Sequence, residues 1–110
     1  MAIVDVIRSK DQLEMLYRAI DTGNMSNAII VGVSDNCGFC TKYATEILKY
    51  VEYPVFIIDM KHDGKSLLYL YKEEFNAVPF TIFHKNTTKN YWFQKGLMSK
   101  QDLVNVFRNF

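Results

Sequence analysis

The chain is 110 residues long and 49% hydrophobic, which suits one globular domain over residues 1–110 with a modest core and excludes a disordered composition. Its 13 Lys and Arg are balanced by 12 Asp and Glu, and neither sign forms a run, so nothing marks a nucleic-acid or membrane surface. No apolar stretch reaches bilayer-spanning length. The start, Met1-Ala2-Ile3-Val4-Asp5-Val6, lacks the basic opening and long apolar core of a signal peptide, so a cytoplasmic, reducing compartment is expected.

Residues 2–8, with Ile3, Val4, Val6 and Ile7, read as a first strand. Ser9-Lys10-Asp11-Gln12 has the spacing of a capping box, and Leu13, Leu16, Tyr17 and Ile20 follow at helical spacing. Gly23 marks the stop, and residues 22–27 form a loop. Residues 28–33 are apolar at nearly every position, as in a central strand covered on both faces. A helix over 41–48 comes next, with Tyr43, Ala44, Ile47 and Leu48 as its buried stripe. Pro54 precedes a third strand over 55–59, and residues 66–75 read as a helix with Leu67, Leu70, Tyr71 and Phe75 apolar. Residues 80–84 and 91–95 are two more strands, joined as a hairpin by a polar turn over 85–90. Gly96 ends the second of them. Ser99 then caps a last helix carrying Leu103, Val104, Val106, Phe107 and Phe110. The order β-α-β-α-β-α-β-β-α predicts an α/β fold, a central mixed β-sheet flanked by helices.

Cys37-Gly38-Phe39-Cys40 lies where the second strand gives way to its helix, and these are the only cysteines in the chain. A Cys-x-x-Cys at such a junction is the signature of thiol–disulfide exchange. The unpaired N–H groups and dipole of a helix start stabilise a negative charge, and the thiolate is the reactive form of cysteine. A structural zinc would need two further ligands at motif spacing. His62 and His84, the only histidines, stand far apart, so no metal and no other cofactor is expected. Two buried, inert cysteines are the blander alternative; the strand-to-helix placement and the intervening Gly38 weigh against it.

Ala77-Val78-Pro79-Phe80 about forty residues after the cysteines, and Gly96 followed by a capped helix, complete a pattern that resembles the thioredoxin-like superfamily over the whole chain. The resemblance implies the thioredoxin fold and a small protein-disulfide reductase active in electron transport. Cys37 is then the attacking nucleophile and Cys40 the resolving thiol, through a mixed disulfide. Asn36, Gly38, Phe39, Val78 and Pro79 are the expected substrate contacts, with Val78–Pro79 cis. The implied partners are disulfide-containing proteins and a thioredoxin-reductase-type or glutathione reductant, and the expected state is a monomer.

The extra strand and helix ahead of the cysteine strand are similar to thioredoxins rather than to a glutaredoxin core. Three positions depart from the thioredoxin pattern. Asn36 replaces a tryptophan, Phe39 replaces a proline, and Val31 stands where the family keeps a buried acid, leaving Asp35 and Asp59 as candidate proton acceptors. Cys-Gly-Phe-Cys also resembles the Cys-Gly-Phe-Ser of cluster-binding glutaredoxins. A glutathione-linked glutaredoxin or iron–sulfur carrier therefore stands as an alternative, as does a redox-inactive interaction subunit.

Overall fold

In the computed structural model of the chain, which describes residues 4–22, 27–34, 37–48, 51, 53–60, 71, 77–85 and 87–109, the apolar run of the second strand lies at the middle of a five-stranded sheet. The strands are β1 (Val4–Ile7), β2 (Asn27–Val33), β3 (Val55–Asp59), β4 (Phe80–Lys85) and β5 (Thr87–Lys95), in the order β1-β3-β2-β4-β5. β1 and β2 both run parallel to β3, while β4 is antiparallel to β2 and β5 to β4. β2 has a strand on either side and a layer on either face, and its five middle residues are all buried. That is why it carries no alternating polar residues.

Three helices flank the sheet among the described residues: α1 (Lys10–Asp21), α2 (Gly38–Lys42) and α3 (Lys100–Asn109). α1 begins with the predicted capping box: Ser9 Oγ accepts from the Gln12 backbone N–H at 3.2 Å, and Gln12 Oε1 accepts from the Ser9 N–H at 3.1 Å. Leu13, Leu16 and Ile20 are its buried stripe. α2 runs without a break into a π-helical turn, Tyr43–Ile47, with Tyr43 and Ala44 buried. Ser99 caps α3 by accepting from the Asp102 N–H at 3.1 Å. No described helix is long and apolar enough to cross a membrane.

The sheet divides the core into two layers. Leu13, Leu16, Ile20, Ile30, Tyr71, Phe80 and Ile82 fill the layer under α1. Ile29, Val31, Tyr43, Leu48, Phe83 and Leu103 fill the layer under α2 and α3. The period of two along β4 sends Phe80 and Ile82 to the first layer and Phe83 to the second. Gly32 lies opposite Phe80 in the β2–β4 ladder, and a Cβ there would overlap the Phe80 ring. In the same layer the buried His84 is hydrogen-bonded through Nε2 to the Tyr71 hydroxyl. The rings of Tyr17 and Tyr91 lie 5.7 and 5.9 Å from the imidazole.

The hairpin differs from the expected one. In place of a polar turn over 85–90, β5 already starts at Thr87, Lys85 pairs with Thr87, and a register shift follows His84. β5 is an edge strand, where polar residues are tolerated, and Thr and Tyr favour strands. From Thr87 onward, that polarity marks an edge strand and not a turn. Among the described residues the first strand ends at Ile7, before Arg8, and the second begins one residue earlier than Ala28; residues 2 and 3 lie outside the described residues. Of the helix expected over 66–75, only Tyr71 is among the described residues; Gly23 lies outside them too.

Candidate functional site

The cysteines sit where β2 leaves the sheet. The Cys37 N–H donates to the Ser34 carbonyl at 3.0 Å. Cys37 keeps extended backbone angles, φ −112° and ψ 94°, and is the N-cap of α2. The Cys40 N–H then donates to the Cys37 carbonyl at 3.1 Å, closing the first turn. The two residues form a disulfide, with Cα atoms 5.3 Å apart. Cys37 retains 8% exposure and Cys40 none. Between them Gly38 and Phe39 face outward, and Phe39 is 56% exposed. Among the described residues, apart from its chain neighbours and its own helix backbone, nothing lies within 4 Å of where a Gly38 side chain would begin. Lys42 is exposed in the last turn of α2.

Val31 pairs with Thr81, and Gly32 with Phe80, in the antiparallel β2–β4 ladder. The end of the sheet from which β2 runs to the cysteines is therefore the end at which β4 enters from Pro79. The Val78–Pro79 peptide is cis, Pro79 is buried and Val78 half-buried. The Pro79 carbonyl accepts from the Gly96 N–H at 2.9 Å. Gly96 has φ +83°, a backbone conformation that favours glycine. This contact sets Leu97, 54% exposed, beside the Pro79 turn.

The structure brings the Cys37–Cys40 turn and the Val78–Pro79 turn to one end of the sheet, while Asn36 and Asp35 lie outside the described residues. Asp59 is half-buried at the end of β3, opposite Val33. Val31 is fully buried, so no carboxylate occupies its place in the layer under α2. What that layer does contain is a pair of hydroxyls. Tyr43 Oη and Thr81 Oγ1 are 2.6 Å apart, and both residues are fully buried. Burial pushes the Tyr43 phenol up from its ordinary value, and the hydrogen bond to Thr81 offsets part of the rise, so the phenol is neutral. Leu97 and the Tyr43–Thr81 pair escaped sequence reasoning. The available signals were a threonine inside an apolar strand and a tyrosine three residues after Cys40.

No protein-family model matches the chain, and no curated protein matches it in sequence. Solved structures do match. A mutant thioredoxin from Halobacterium salinarum NRC-1 is similar with a TM-score of 0.73 at 16% identity, over 98% of this chain and 90% of that one. Thioredoxin f2, in a complex with ferredoxin:thioredoxin reductase, is similar with a TM-score of 0.67 at 18% identity, over 97% of this chain and 94% of that one. The J-Trx1 fragment of ERdj5 gives 0.64 at 15% identity, and the match spans 96% of this chain but only 50% of that fragment. At these identities the likeness is one of fold. The chain has a thioredoxin-like fold, and a Cys-x-x-Cys disulfide at the start of α2 that supports thiol–disulfide oxidoreductase chemistry in general.

Proposed function

We propose that the chain reduces disulfides in other proteins through the Cys37/Cys40 dithiol. The observation that carries this is the unequal burial of a bonded pair: Cys37 at the edge of the helix start, Cys40 wholly inside. In the reduced protein the Cys37 thiolate attacks a substrate disulfide. One substrate sulfur leaves as a thiolate and the other becomes bonded to Cys37. Cys40 then loses its proton to water and attacks the Cys37 sulfur. The Cys37–Cys40 disulfide forms, and the second substrate sulfur departs as a thiolate. Two electrons have passed from the dithiol to the substrate.

The rim of the site suits an extended, partly apolar substrate segment. Phe39, within the cysteine turn, and Leu97, next to the Gly96 that bonds Pro79, are both exposed apolar side chains. The space over Gly38 admits a substrate backbone, and the Val78 backbone is the group with which such a segment would pair as an added strand. Asn36 completes the proposed contacts. A reductase of the kind seen bound to thioredoxin f2 is the proposed electron source, with glutathione as the competing one. The cytoplasmic setting and monomeric state expected from the sequence belong to the same proposal.

The test is insulin reduction together with substrate trapping. Cys37→Ser abolishes reduction, and Cys40→Ser accumulates a mixed disulfide on non-reducing gels. Equal trapping by both variants removes the assignment of roles, and a wild-type protein unable to reduce insulin removes the function.

A further inference from the structure

We propose that Tyr43 and Thr81 are positioning residues for the second half of this reaction: their hydrogen bond ties the helix that carries Cys40 to the strand that leaves Pro79. The inference rests on the function proposed above. Tyr43 lies one helical turn past Cys40, and its backbone N–H donates to the Cys40 and Phe39 carbonyls. Thr81 lies two residues past Pro79 and pairs with Val31 across the sheet. The hydroxyl contact at 2.6 Å thus connects the helix that follows Cys40 to the strand that follows Pro79. Among the described residues, the buried side chains that pack around them include the apolar Ile29, Val31, Leu48 and Phe83. A buried hydroxyl in such a layer needs a partner, and here each serves the other. The π-helical turn begins at Tyr43 itself, so the side chain that reaches the sheet stands where the helix changes its winding.

The two half-reactions make different demands on this link. Capture of a substrate disulfide needs only a reachable Cys37. Resolution needs Cys40 held in line with the new Cys37–substrate bond, an intramolecular attack whose rate depends on orientation. In that step the Cys40–Cys37 bond forms, the Cys37–substrate bond breaks, the substrate sulfur leaves as a thiolate, and the Cys40 proton goes to water. A helix free to shift against β4 slows this step and leaves capture alone.

A nitrobenzoate disulfide with a coloured thiolate separates the steps, because the reduced protein releases one thiolate on capture and a second on resolution. In stopped flow, Tyr43→Phe and Thr81→Val each slow the second release by about tenfold, the order of one lost buried hydrogen bond, and leave the first within about twofold. The double variant is no slower than either single one, and Thr81→Ser, which keeps the hydroxyl, restores the second phase. Unchanged second phases in both single variants overturn the proposal. So do multiplying effects in the double variant, or equal slowing of both phases. If the wild-type protein releases no thiolate at all, the reductase function itself is removed and this inference goes with it. A normal wild-type trace with unaffected variants removes the positioning role alone.

Discussion

β4 contributes one buried polar side chain to each face of the sheet, and each is met by a tyrosine. Thr81 points under α2 and bonds Tyr43; His84, three residues on, points under α1 and bonds Tyr71. The surroundings differ. Around His84 the rings of Tyr17, Tyr71 and Tyr91 form an aromatic nest, and Ala28 opposite it leaves room for the imidazole. Around Thr81 the layer is mostly aliphatic, and its partner belongs to the helix that bears the cysteines. The same chemical device therefore does two things. At the far end of β4 it joins a layer to the sheet; at the near end it joins the sheet to the redox turn. Both contribute to stability, and only the second reaches the chemistry.

Four variants, two of them followed through a pH series, sharpen that contrast. Gly32→Ala is the harshest, because its Cβ would overlap the ring of Phe80, which is fully buried. A loss of about 3 kcal/mol in denaturant unfolding is expected, the upper end of ordinary overpacking. Tyr71→Phe is milder. It removes the hydroxyl from His84 Nε2 and costs about 1–2 kcal/mol, the scale of a buried hydrogen bond. The nest is remote from α2, so the ratio of capture to resolution rates stays at its wild-type value. A changed ratio in Tyr71→Phe would show that the two faces are not independent.

Alkaline pH separates the two tyrosines again. Burial, then the neighbouring Tyr17 and Tyr91 phenols, push the Tyr71 phenol well above its ordinary 10.0, and burial raises Tyr43 as well. As pH rises past that ordinary value the unfolded chain loses phenol protons that the folded chain keeps. The unfolded state then binds fewer protons, so unfolding becomes easier with each step in pH until the folded phenols also ionise. The melting temperature should fall above about pH 10, with Tyr71→Phe flattening the fall more than Tyr43→Phe. Equal flattening would mean that the aromatic nest adds nothing to simple burial.

How far the sequence revealed these features depends on what a periodic pattern records. The unbroken apolar run of β2, the capping residues Ser9 and Ser99, and the cysteine turn are local, and each is legible in a few residues. The Tyr43–Thr81 and Tyr71–His84 bonds are not. Periodicity says which face a side chain takes, and Tyr43 counts as one more apolar position, but it does not say which hydroxyl lies across the layer. The π-helical turn was hidden because five residues are too few to tell its period from an α-helical one. The hairpin was misplaced because polar residues at 85–90 fit an edge strand as well as a turn.

Phe39 offers the gentlest test of the redox end of the contrast, since it can change the potential with little effect on the fold. Its side chain is 56% exposed, so removing it forfeits little packing. Proline is tolerated in the first turn of a helix, where α2 places this residue. What proline removes is the backbone N–H, one of the donors that face the start of α2. A donor there favours the Cys37 thiolate through a charge-assisted hydrogen bond. Such a bond acts only in the reduced protein, because a disulfide sulfur carries no charge. Losing it therefore weakens the reduced state relative to the oxidised one, and the potential falls. A difference of about 1.4 kcal/mol corresponds to ~30 mV for a two-electron couple, so a shift of a few tens of millivolts is expected. The Cys37 pKa should rise in parallel. A glutathione redox titration and an alkylation pH profile of Phe39→Pro read both quantities. An unchanged or raised potential would mean that this N–H does not face the sulfur, and that the helix start acts on Cys37 through its other donors.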